Sequence, residues 1–86
     1  MLKIMLVDDE VNILEGLRIS IDWESLGCQV ICDARNGEEG LKKAQDYHPD
    51  IIITDITMPV LDGLNMMEMI KGKNPEIKFI LLTCHE

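Results

Sequence analysis

Apolar residues in this 86-residue chain fall into short runs, separated by stretches whose apolar positions recur every three or four residues. The runs are Lys3 to Val7, Gln29 to Ala34, Asp50 to Asp55 and Lys78 to Thr83. Runs this short and rich in branched side chains suit strands buried on both faces of a parallel sheet. Between the first two, Val11 to Ile21 sets Leu14, Leu17, Arg18 and Ile21 at helical spacing, with Asp9 or Glu10 placed near its start. Trp23 to Gly27 reads as a turn, and Gly27 supplies the backbone freedom it needs. Asn36-Gly37 opens a second helix that continues to about Tyr47, with Leu41, Ala44 and Tyr47 facing inward. His48-Pro49 closes it, because proline disfavours helix at the residue before it. A loop from Ile56 to Leu61, containing Pro59, leads to a third helix from Gly63 to about Lys71. Its inner face is Leu64, Met67 and Ile70, and Asn74-Pro75 breaks it. The βαβαβαβ order predicts an α/β domain with a parallel sheet and helices on both faces. With no helix after the fourth run, that strand is expected to be an exposed edge.

Two of the runs end on carboxylates. Ile4 to Val7 leads into Asp8-Asp9-Glu10, and Ile51 to Thr54 leads into Asp55. Ligands of open parallel sheets bind beyond the carboxyl ends of the strands, so two such strands side by side would gather Asp8, Asp9 and Asp55 at one rim. Three acids that close repel one another unless protons or a cation intervene. A phosphate-binding loop in this place would carry glycines; bare carboxylates instead call for a cation first. Oxygen ligands with no His or Cys beside them favour Mg2+ or Mn2+ over zinc. An arriving phosphoryl group would then meet a positive centre, and Asp55 could attack phosphorus as a nucleophile. Thr83 would bring a hydroxyl donor to the same rim. Taken singly, each residue has a plainer role. A strand-end aspartate is commonly a cap or loop acid, Glu10 suits a helix dipole, and Thr83 suits a strand. Their convergence carries the argument. Met66, Met67 and Met69 read as core and helix surface, and His48 and His85 as surface or turn residues.

Composition narrows the function classes. A formal net charge of −8 excludes nonspecific nucleic-acid binding by this segment, since phosphate backbones demand a basic surface. Aromatic residues make up 3% of the chain, so Ile, Leu, Val and Met must build the core. Cys28, Cys32 and Cys84 form no C-x-x-C pair and read as free thiols of a reducing compartment. No apolar stretch approaches membrane-spanning length, and the strand-like N-terminus lacks signal-peptide features. A cytoplasmic location is expected.

The residues Val7-Asp8-Asp9-Glu10, the segment Asp50 to Pro59 with Asp62-Gly63, and Phe79 to Thr83 resemble the receiver domain of two-component response regulators. The resemblance runs over essentially all 86 residues. It implies a flavodoxin-like, doubly wound parallel sheet of strand order 2-1-3-4, a single partial receiver domain over 1–86 lacking the family's fifth strand and last two helices. It also implies a phosphoryl group accepted on Asp55 from a sensor histidine kinase. Asp9 and Asp55 would bind Mg2+ directly, with Asp8 assisting and the backbone carbonyl of Thr57 completing the protein ligands. Thr83 would be the switch hydroxyl. Ile21 to Gly27 further resembles receivers that precede an AraC-type helix-turn-helix output domain, which implies transcription regulation by the full-length protein. The lysine that ends the family's fifth strand is not in this sequence. An open fourth strand also admits edge-to-edge pairing into a homodimer.

Two rival functions are weighed against the phosphoacceptor. A haloacid-dehalogenase-like phosphatase needs a second acid two residues after its nucleophile. That position is Thr57, which cannot act as a general acid near neutral pH, so an enzyme is not expected. An interaction module that keeps the fold without the chemistry would bind no divalent ion at the acid rim.

Overall fold

The four apolar runs become four parallel strands. The structure is a computed structural model that describes residues 1–82. Strand and helix alternate as β1 (Leu2–Val7), α1 (Val11–Ser20), β2 (Cys28–Ala34), α2 (Gly37–Tyr47), β3 (Ile51–Asp55), α3 (Gly63–Lys73) and β4 (Lys78–Leu82). The sheet order is β2-β1-β3-β4, and every neighbouring pair is parallel. The expected flavodoxin-like order is therefore observed. β1 lies inside the sheet and feeds two cores by strand alternation. Met5 and Val7 join Ala44 of α2 and Met66 and Ile70 of α3 on one face. Ile4 and Leu6 join Leu14 of α1 on the other. The stretch Ile4 to Val7, covered on both faces, has no polar position to spare, which is why it is uninterrupted.

β2 departs from simple alternation. Its pairing with β1 slips by one residue between Ile4↔Val30 and Met5↔Cys32. Cys28 and Val30 pack on the α1 side, whereas Cys32 and Ala34 lie in the α2/α3 core. A one-residue slip moves every later side chain to the opposite face. Cys32 is thereby buried, and that burial pushes its thiol pKa up. Cys28 and Cys32 are both free; Cys84 lies outside the described residues.

Local chemistry sets the helix ends. Asn36 caps α2 by accepting the Glu39 N–H at 2.8 Å, while Glu39 Oε1 accepts the Arg35 N–H at 2.7 Å. This is a capping-box exchange displaced by one residue. The Arg35 N–H, with support from Lys43, lowers the Glu39 pKa. His48 closes α2 in the left-handed region, its N–H donating to the Ala44 carbonyl. The 3-10 turn Glu24–Leu26 ends at Gly27, whose φ of 73° favours glycine. Trp23 anchors that turn by donating Nε1–H to the Leu17 carbonyl at 3.1 Å.

Several expected faces are corrected. Leu64 is 44% exposed, and the buried positions of α3 are Gly63, Met66 and Ile70. The reason lies at the helix start. Asp62 Oδ1 accepts the Asn65 N–H at 2.8 Å, and Gly63 is pressed against the strand end. Fixing residue 63 inward turns positions three and seven residues later inward with it. Tyr47, the last residue of α2, is 47% exposed, while Pro49 just after it is buried. Arg18 leaves the α1 core to pair with Asp33 of β2 at 3.0 Å, and Ile21 falls after the helix. Among the described residues β4 is the outer strand on its side of the sheet, with Ile80 and Leu81 exposed. No helix among the described residues is long and apolar enough to cross a membrane.

The revised α3 face has a direct check. Met66 is fully buried, so Met66→Ala is expected to cost about 2–5 kcal/mol in urea unfolding. Leu64→Ala should stay within about 1 kcal/mol. Equal losses would restore the face read from spacing.

Candidate metal centre

β1 and β3 are neighbours, and their register runs Ile4↔Ile51 to Val7↔Thr54. One residue further along each strand stand Asp8 and Asp55. Asp9 follows on the β1 side before α1 begins. Carboxylate oxygens of Asp8, Asp9 and Asp55 all lie within 4.8 Å of one another. The three expected acids are thus brought together by two unbroken strands. The ion pairs among the described residues, Arg18–Asp33 and Lys43–Glu39, lie elsewhere, so no lysine or arginine neutralises the cluster there.

Asp8 is the enclosed member, with 4% of its surface exposed. Its main chain is tied to β2 through an N–H to the Ala34 carbonyl at 3.0 Å. Its Oδ1 accepts the Glu10 N–H at 2.9 Å. Spacing suggested Asp9 or Glu10 for the start of α1. Glu10 is the N-cap, without a side-chain bond, and it is Asp8 that satisfies a backbone donor there in an Asx-type turn. Burial raises the Asp8 carboxyl pKa. The Glu10 N–H opposes that rise, and the charges of Asp55, Asp9 and Glu10 add to it. Glu10 itself is exposed and stands outside the cluster.

The chain after Asp55 wraps round the same rim. Ile56 donates its N–H to the Leu82 carbonyl at 3.3 Å and accepts from the Gly63 N–H at 2.8 Å. Met58 is buried in the α2/α3 core, and Thr57 is exposed. Any Cβ at position 63 would overlap the Asp55 carbonyl oxygen, so a glycine is needed where α3 starts against the strand end. Thr54, fully buried beside this rim, donates its hydroxyl to the Asp55 carbonyl at 2.9 Å. Sequence reading passed over Thr54 and the capping role of Asp62; the D-G pair before an apolar helical pattern was the available signal for the latter. Thr83 lies outside the described residues. A cavity of about 650 Å³ opens at the opposite end of the strands, lined by Lys3, Asp50, Ile51 and Lys78 among others. It is remote from the acids.

A parallel α/β sheet with a trio of acids at its carboxyl rim sets its candidate ligand site between the strand ends. The family model of the response regulator receiver domain matches residues 4–86, and the chain belongs to that family, whose members are signalling modules. It is 43% identical over 83 residues to the uncharacterized transcriptional regulatory protein YesN of Bacillus subtilis, covering 96% of this chain and 23% of YesN. A two-component transcriptional regulator AraC from Clostridium phytofermentans superposes with a TM-score of 0.92 at 29% identity, covering 100% of this chain and 67% of that one. The CheY of a CheX–CheY–BeF3–Mg2+ complex from Borrelia burgdorferi superposes at 0.85 and 28% identity, covering 95% and 61%. The chain thus spans less than a quarter of YesN and under two thirds of that CheY.

The raised Asp8 pKa fixes a sign. Between the ordinary aspartate pKa of about 3.9 and the raised folded value, the native state holds a proton that the unfolded chain has released. Stability from this group is therefore full below the ordinary value and is lost as pH rises through the folded one. Asp8→Asn keeps the oxygen that accepts from Glu10 and removes the charge. In EDTA it is expected to melt above wild type at pH 7, with the gap closing as pH falls toward about 4. A lower melting point for Asp8→Asn at pH 7 would contradict the account.

Proposed function

We propose that this chain is the phosphoacceptor unit of a two-component response regulator, with Asp55 receiving a phosphoryl group from the phosphohistidine of a sensor histidine kinase. The observation that carries this reading is the meeting of Asp8, Asp9 and Asp55 within 4.8 Å, with no cationic side chain paired to them among the described residues. Three carboxylates without nitrogen or sulfur donors fit Mg2+ by chemistry. Asp8, Asp9, Asp55 and the backbone carbonyl of Thr57 would hold it. When bound, the ion neutralises the acids and polarises phosphoryl oxygens.

The remaining chemistry belongs to the chain. An Asp55 carboxylate oxygen attacks phosphorus, the O–P bond forms, and the bond from phosphorus to the donor's imidazole nitrogen breaks. The electron pair leaves with that nitrogen, which takes a proton from solvent. Asp8 and Asp9 keep the pocket acidic enough to require a cation, and the buried base of the loop keeps Asp55 at the strand end. Thr83, on the resemblance alone, supplies the hydroxyl that follows the new phosphoryl group and repacks the output surface. Moving such a switch from 1:99 to 99:1 takes about 5.5 kcal/mol. Charge-assisted hydrogen bonds to the phosphoryl oxygens are a source of that scale. Residues 1–86 would act as a single partial receiver in a longer, cytoplasmic regulator whose output domain binds DNA. The YesN and AraC relatives support transcription as that output, and the Mg2+ and BeF3 of the Borrelia CheX–CheY complex support the cation and the phosphoryl site.

Incubation with acetyl phosphate and Mg2+, followed by intact mass measurement, tests the reading. One added phosphoryl group is expected, abolished by EDTA and by Asp55→Asn. Labelling that survives Asp55→Asn would move the acceptor elsewhere, and no labelling together with no Mg2+ binding would favour an interaction module that has lost the chemistry.

A further inference from the structure

The loop from Ile56 to Asp62 contains a backbone conformation that valine does not adopt unaided. Val60 has φ of 74°, and the Leu61 N–H donates to the Pro59 carbonyl at 2.8 Å across it. This is a three-residue turn centred on a β-branched residue. Such strain persists where the surroundings over-determine it. The Val60 side chain, 74% exposed, does not provide that restraint.

The restraint comes from either side. Gly63 bonds back to Ile56 and closes the loop on the strand end. On the other side stands Gly37, the first residue of α2. Its N–H donates to the Leu61 carbonyl at 3.1 Å. It is buried, and a Cβ there would overlap that same carbonyl oxygen and come within 2.8 Å of the Leu61 Cβ. Gly37 is itself fixed by the cap of α2, in which Asn36 and Glu39 bind the backbone on both sides of it.

We infer that Gly37 is a positioning residue for the acidic rim. Its N–H and its missing side chain hold Leu61, and through Leu61 the loop that carries Thr57 and abuts Asp55. The inference rests on the reading of the rim as a Mg2+ and phosphoryl site. Gly37 makes no contact with the cation or the acids in this account and acts only through the loop.

Gly40, one turn further along α2, supplies a matched comparison. A Cβ there would meet Met66 Sδ at 2.6 Å and the Val7 methyls at 3.7 and 3.8 Å, which are core atoms and not the loop. Mg2+ affinity of wild type, Gly37→Ala and Gly40→Ala can be measured by calorimetric titration, with thermal melts in EDTA recording the cost to the fold. Both variants should melt lower. Gly37→Ala should weaken Mg2+ by about tenfold or more, while Gly40→Ala stays within about twofold of wild type. Asp55 labelling by acetyl phosphate at subsaturating Mg2+ should follow the same order. Wild-type affinity in Gly37→Ala, or equal losses in both variants, overturns the inference. A wild type that binds no Mg2+ overturns the underlying reading and this inference with it.

If Gly37→Ala does not fold, wild-type amide exchange decides. A cation that binds the clamped loop must also stabilise the clamp, because coupling is reciprocal. Exchange of the Gly37 amide should therefore slow on adding Mg2+, by more than that of Ala44 in the same helix. No difference between the two amides overturns the inference.

Discussion

β1 runs beside β3 with Val7 opposite Thr54, and the next residue on each strand is an aspartate. In that pairing Ile4, Met5, Leu6 and Ile52 are buried between the helices on the two faces of the sheet. Hydrophobic burial thus drives like charges together at the rim. The cost is visible in Asp8, whose enclosure and acidic neighbours disfavour its charged form. A cation held at the rim, as proposed, would relieve this crowding and would thereby couple ligand binding to folding.

The rest of the rim depends on backbone fit more than on side-chain attraction. Gly63 lets α3 start against the Asp55 carbonyl, Asp62 caps that start, and Thr54 secures the same carbonyl from within the sheet. Each satisfies or accommodates a main-chain group, and no buried side-chain polar atom among the described residues lacks a partner. The ion pairs Arg18–Asp33 and Lys43–Glu39 lie on exposed surface around β2, where such pairs contribute little. The placement of the site therefore comes from close backbone packing, and the carboxylates at its edge have no lysine or arginine paired to them among the described residues.

Most of the fold was readable because each element announces itself locally. An uninterrupted branched run such as Ile51 to Thr54 has few other uses, and Asn36 or Pro49 marks an end by its own stereochemistry. The acid trio was readable because parallel strands of one sheet deliver their C-terminal residues to one rim, and both acid-ended runs carry their carboxylates there. Leu64 and Tyr47 were misjudged because helical spacing fixes which residues share a face but not which face turns inward. The slip in β2 was invisible, since Cys28, Val30, Cys32 and Ala34 alternate without a break in the sequence.

Sequence alone determined the order of elements, the parallel sheet and the identity of the acids at its rim, because strand and helix periodicities and strand-end carboxylates are local properties. Tertiary structure decided how far Asp8 is enclosed, which face of α3 is buried, where β2 changes sides and how Gly37 meets Leu61. These depend on contacts between segments distant in the chain, and such contacts are set by volume and close approach, which no spacing of residue types encodes.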